Sequence, residues 1–166
     1  MSEAHGNLKV FTIGAYGFDE LGFLQALREK NIDTFCDIRL RRGMRGARYA
    51  WANSARLQEN LRRLGIAYVH LKELAPTREI RQKQKDEDER WGVSKRERTR
   101  LGEVFSDLYT RLCGDNIETF FDRLPPAARN VVLFCVEKEP EACHRSIMAR
   151  YLQDHFNLPW QGDIGR

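Results

Sequence analysis

The densest group of reactive side chains lies between Val131 and His155, in VVLFCVEKEPEACHRSIMARYLQDH. Cys135 ends an apolar run, Glu137 follows two residues later on the same side, and Cys143-His144-Arg145 stands at the start of a helical pattern. Such groups near a helix N-terminus suit an anion or a thiolate, because unpaired N–H groups and the helix dipole favour negative charge. Cys143 is a candidate nucleophile there, Glu137 and His144 are candidates to move protons, and Arg145 offers a planar fork for phosphate or carboxylate. Structural readings compete with these. His144, Ile147, Met148, Tyr151 and His155 share one helical face, and cysteine is among the most buried residue types. Glu137 suits an ion pair with Lys138, or the orientation of Arg145 or Arg39, as well as it suits a general base.

Three further groups carry chemistry. Asp37 and Arg39 alternate with Cys36 and Ile38, so their side chains share a face at a strand end, able to grip a ligand or to brace the next loop. That loop, Leu40–Ala50, carries Arg41, Arg42, Arg45 and Arg48 beside Tyr49 and Trp51, a composition suited to phosphate backbones and unstacked bases. Cys36, Cys135, Cys143 and His144 would make a Cys3His metal set, but Cys135 and Cys143 stand too far apart in sequence for one tight turn. No metal and no cofactor is expected from that spacing. P-loop, GxGxxG and GxSxG patterns are missing, which removes the usual anchors of ATPase, dinucleotide and serine-hydrolase readings.

The elements that must position these groups alternate. Lys9–Ile13 reads as a strand, Phe18–Lys30 as a helix through Leu21, Phe23, Leu24 and Leu27, and Asp33–Ile38 as a second strand. This βαβ pattern predicts a parallel pair. A helix opening at Asn53 or Ser54 runs to Leu64 and ends at Gly65, before a strand over Ile66–Leu71. From Pro76 to Arg100 the chain is almost wholly charged and predicts a solvated helix or a mobile excursion. Helical spacing returns over Leu101–Leu112 and again over Ile117–Leu124. Asn130–Val136 is the fourth strand, Cys143–His155 the last major helix, with Pro140 suited to its first position, and Pro159–Ile164 a short closing strand.

The order predicts a single α/β domain over residues 1–166. Its sheet is mostly parallel, of about four to five strands flanked by helices on both faces. Ligands bind such sheets at the carboxyl ends of the strands. Gly14, Asp37, Arg39, Arg45, His70, Cys135 and Arg145 all fall at or just beyond those ends, and form the expected ligand-binding set.

The 166 residues are 42% hydrophobic and 31% charged, with a net charge of +4, as in a soluble globular protein with a mild preference for anions. No apolar run is long enough for a membrane span, and MSEAHGNLKV lacks a signal-peptide pattern, so a cytoplasmic setting is expected, with the four cysteines reduced.

Thr12-Ile13-Gly14, Asp37-Ile38-Arg39, Tyr68-Val69-His70-Leu71 and the C-x-E-x(5)-CHR turn from Cys135 to Arg145 together resemble the domain of unknown function 488 family. The resemblance spans nearly the whole chain and implies an α/β domain with a shared site, though no particular reaction. One position departs: many members carry a histidine directly after TIG, where this chain has Ala15. The combined expectation is a protein that binds or processes a phosphate-bearing ligand, a nucleotide or nucleic acid, at the sheet edge. The alternatives are a non-catalytic nucleic-acid module using loop 40–50, and an interaction protein whose motif residues are structural.

Overall fold

A computed structural model of the chain describes residues 5–165. Its strands are β1 (Lys9–Gly14), β2 (Thr34–Asp37), β3 (Ala67–His70), β4 (Asn130–Cys135) and β5 (Trp160–Asp163), all parallel, in the order β3-β2-β4-β1-β5. The expected parallel α/β sheet is present. The expected pairing of the first two strands is not, because β4 inserts between β1 and β2 and bonds to both. Its sequence explains the position: NVVLFC is apolar on both sides, and every residue from Val131 to Cys135 is buried, as a central strand of a parallel sheet requires.

Alternation along β4 divides the core. Val131, Leu133 and Cys135 face one layer, while Val132 and Phe134 face the other. The second layer holds α1 (Glu20–Glu29) and α2 (Ser54–Arg63), through Phe23, Leu27, Leu57 and Leu61. The first layer holds α3 (Arg78–Trp91), α4 (Glu103–Arg123) and α5 (His144–Phe156). The helix ends follow their local chemistry: Asp19 caps α1 by accepting from Gly22 N–H, and Gly65 takes φ 72° just after α2.

One helical expectation changes, and one open choice is decided. The stretches Leu101–Leu112 and Ile117–Leu124 form one continuous helix, α4, which runs straight through Gly114. A Cβ at Gly114 would stand 3.1 Å from the Tyr151 hydroxyl, so this glycine allows close approach of α5 rather than ending a helix. Of the two readings of the charged stretch, the helical one holds over Arg78–Trp91. Thr77 caps α3, and the helix buries Ile80, Gln84 and Asp88. Gln84 donates to Asp88 and accepts from Gly102 N–H, while Arg98 donates to Asp88 at 2.7 Å. A polar network does here what apolar side chains do elsewhere, because buried polar atoms are stable only where they find partners. No helix among the described residues is long and apolar enough to cross a membrane.

Candidate functional site

Adjacent strands β1 and β4 send their chains to opposite faces, to α1 and α5 respectively, which opens a crevice at their carboxyl ends. A cleft of about 1360 Å³ occupies that edge. Its floor is Cys135, Cys143 and His144; its walls are the 40–49 loop, α3 with the segment that follows it, and the Val136–Glu139 turn.

The floor is the tightest cluster. The sulfurs of Cys135 and Cys143 and Nδ1 of His144 lie within 4.8 Å of one another, and Nδ1 stands 3.9 Å from each sulfur. Cys143 is not inside α5 but is its N-cap, in extended backbone (φ −133°, ψ 146°), and Pro140 opens a separate short 3₁₀ turn, Pro140–Ala142, instead of the helix. That turn folds the eight-residue separation back on itself, which sequence spacing alone did not show. Nε2 of His144 donates to the Ile38 carbonyl at 3.0 Å, and Tyr109 packs edge-on against the imidazole with ring centroids 5.2 Å apart. Burial works to raise the Cys143 thiol, but the hydrogen bond with Cys135 and the nearby His144 and Arg145 outweigh it and hold Cys143 well below the ordinary thiol range. The same hydrogen bond and burial push Cys135 well above it. Cys113, on α4, is pushed up to about 12 by burial, and Cys36 lies in the same layer but outside the cluster.

Arg145 does not face the cleft. It is fully buried: Nε donates to Asp163 at 3.0 Å, NH1 to the Glu137 carbonyl at 2.7 Å, and NH2 to the Lys138 carbonyl and Asp163. Glu137 meets Arg145 through its backbone, while its carboxylate pairs with Lys95 at 3.4 Å on the cleft wall. Gly14 sits beneath this turn. A Cβ there would collide with the Glu137 carbonyl oxygen and stand 3.0 Å from the Arg145 guanidinium, so the glycine is required by close approach.

Asp37 and Arg39 share a face as the alternation implied, and they hold each other. Asp37, fully buried, accepts from Arg39 N–H, Nε and NH2 and from the Tyr68 hydroxyl at 2.6 Å. Arg39 also donates to the Ala52 carbonyl and lies 4.7 Å over the Phe134 ring, with one edge on the cleft. His70 donates through Nε2 to the Arg39 carbonyl and stands outside the cleft lining. Arg45 is exposed on the rim. Asp163 and Tyr68 are the partners that sequence reasoning missed. The signals were there: Tyr68 opens the YVHL motif, and Asp163 ends β5 as Asp37 ends β2.

Burial and the Asp37 carboxylate push the Tyr68 phenol up to about 12. An unfolded tyrosine titrates near pH 10, so this stabilisation is fully present below about pH 10 and is lost as pH rises through the folded-state value. Melting temperature should fall across that alkaline window, and less steeply in Tyr68→Phe; equal slopes for the two proteins would remove Tyr68 from the account. Tyr109 is raised in the same direction, so the substitution lessens the dependence without abolishing it.

No curated protein and no solved structure matches the chain. The motifs that meet at the sheet edge, DIR, YVHL and the Cys135–Arg145 turn, all fall within the span matched by one family model, with Thr12-Ile13-Gly14 just before it. The match covers residues 22–152, and the chain belongs to the family described as Domain of unknown function DUF488.

Proposed function

We propose that the cleft binds a phosphate-bearing ligand, a nucleotide or a nucleic-acid segment, over the Cys135–Cys143–His144 floor. One observation carries the reading: where the chain keeps its positive charge. The cleft lining holds nine Lys and Arg against five Asp and Glu, a surplus of four. The whole chain holds 28 against 24, so the residues outside the lining balance and the entire surplus sits at this edge. A crevice with a surplus of one sign of charge concentrates ligands of the other sign.

The cations that serve the ligand are those without internal duties. Among the described residues Arg41, Arg45, Arg81, Lys85 and Arg96 make no ion pair, and all five are exposed on the lining. Tyr16 and Tyr49, with ring centroids 5.0 Å apart, add aromatic faces on which a base can stack. Asp37, Arg39 and Arg145 then brace the segments that form the walls rather than bind the ligand.

The test is binding of pyrophosphate, a nucleoside triphosphate and a short single-stranded oligonucleotide at low salt, in wild type and in Arg41→Glu/Arg45→Glu. Affinity should fall at least about tenfold in the variant, and for the oligonucleotide the salt slope should shrink by about 0.7 for each phosphate that the variant no longer neutralises. Tight triphosphate binding selects the nucleotide, and oligonucleotide binding alone selects the nucleic-acid module. No binding of any of the three, or affinity indifferent to charge reversal, overturns the proposal.

A further inference from the structure

The buried floor of the cleft has a donor set, a geometry and an opening that a binding cleft for phosphates does not need. We infer that Cys135, Cys143 and His144 are three ligands of a tetrahedral divalent metal ion of the zinc class, whose fourth position opens on the cleft.

The donor atoms match the ion. Two sulfurs and one imidazole nitrogen are the soft and borderline ligands that zinc and its first-row neighbours select. With Zn–S near 2.3 Å and Zn–N near 2.0–2.1 Å, a tetrahedron places its sulfurs roughly 3.5 Å from its nitrogen. Here Nδ1 stands 3.9 Å from both, and all three donors lie within 4.8 Å of one another. Small shifts of these side chains complete the site.

The imidazole is already oriented for it. The Ile38 carbonyl can only accept a hydrogen bond, so its 3.0 Å contact puts a proton on Nε2 and turns the Nδ1 lone pair towards the two sulfurs. A metal-bound histidine is held in this way by a backbone carbonyl on its far nitrogen. The Tyr109 ring fixes the plane of the imidazole from the side. Charge fits as well. Two thiolates at 6% and 2% exposure are costly alone, and a divalent cation between them makes a neutral centre.

The fourth position follows from topology. Cys135, Cys143 and His144 all line the cleft, and no fourth Cys, His, Asp or Glu joins the cluster among the described residues. Structural zinc sites close with four protein ligands, whereas a site of three leaves room for water or a ligand oxygen. The ion would therefore meet whatever enters the cleft.

The chelator-stripped full-length protein, reduced and then titrated with cobalt(II) and separately with zinc(II), decides the matter. One cobalt per chain should bind, with an intense thiolate-to-cobalt absorption and visible bands of tetrahedral strength. Zinc should displace it and slow alkylation of Cys135 and Cys143 by roughly an order of magnitude or more, since a metal-bound sulfur is no longer a free thiolate. Cys113 should be unaffected. Cys143→Ser should lose at least half of the thiolate band and Cys113→Ser should keep it all; if Cys143→Ser does not fold, the wild-type spectrum and alkylation pattern carry the result. Cobalt uptake without the thiolate band, no uptake, or a Cys135–Cys143 disulfide formed in place of metal binding overturns the inference. The site does not depend on phosphate binding. Arg41→Glu/Arg45→Glu should take up metal normally, so failure of one proposal leaves the other readable.

Discussion

Arg145→Met should destabilise the protein by about 3–5 kcal/mol, because it strips the cation from a buried ion pair and leaves the anion behind. Asp163, whose side chain is 3% exposed, would lose its cation and retain the Thr12 hydroxyl as a partner. The Glu137 and Lys138 carbonyls would lose donors in the same step. Methionine preserves most of the volume, so the loss reads electrostatics and hydrogen bonding rather than a cavity. Urea unfolding at an unchanged m-value measures it. In an Asp163→Asn background the same substitution should cost less by about 1–3 kcal/mol, the coupling expected of directly bonded residues. A loss under about 1 kcal/mol would mean a solvent-facing arginine. Weaker phosphate binding at unchanged stability would return Arg145 to the ligand-binding role its position first suggested.

Asp37→Ala should produce a loss of similar size, about 3–5 kcal/mol, by the opposite omission. Here the stranded group is the Arg39 guanidinium, 4% exposed and left with the Ala52 carbonyl and the face of Phe134. Tyr68 would lose its acceptor as well. Tyr68→Phe removes the last of these bonds together with the hydroxyl's hydrogen bond to Arg42, and should cost about 1–2 kcal/mol. The two variants also differ in the loop. Arg39 ties Ala52, at the end of the arginine loop, to the strand end, and Tyr68 holds Arg42 within it, so both variants should expose Arg41–Arg48 to trypsin, Asp37→Ala faster because it removes more of these bonds. Equal cleavage rates would show that the pair does not hold the loop.

These two pairs show where reading the sequence succeeds and where it stops. Strand ends were legible because apolar runs break at Asp37, His70 and Cys135, and their gathering at one edge follows from parallel topology alone. What each group does there was not legible, because it depends on partners far away in sequence. Arg145 looked like an anion fork until Asp163, 18 residues on, took it up. The basic loop kept its exposed cations, since nothing acidic among the described residues pairs with Arg41 or Arg45. The insertion of β4 between β1 and β2 left no local trace except a strand apolar on both faces. At α3 the sequence left a solvated helix and a mobile excursion open; the helix formed, and its fixed position rests on Gln84, Asp88 and Arg98. The Cys135–Cys143 spacing argued against a cluster only because the intervening 3₁₀ turn was not foreseen.

The central place of β4 also governs when the sheet can be made. β1 and β2 share no hydrogen bonds with each other; both bond to a strand that begins at Asn130. During synthesis the first two strands therefore leave the ribosome before the strand that joins them exists, and more than half of the chain is made before it arrives. Pairings of such wide sequence separation are slow to close, and waiting edges are open to other chains. The strand that carries Cys135 into the cleft is thus also the one whose arrival ends that exposure.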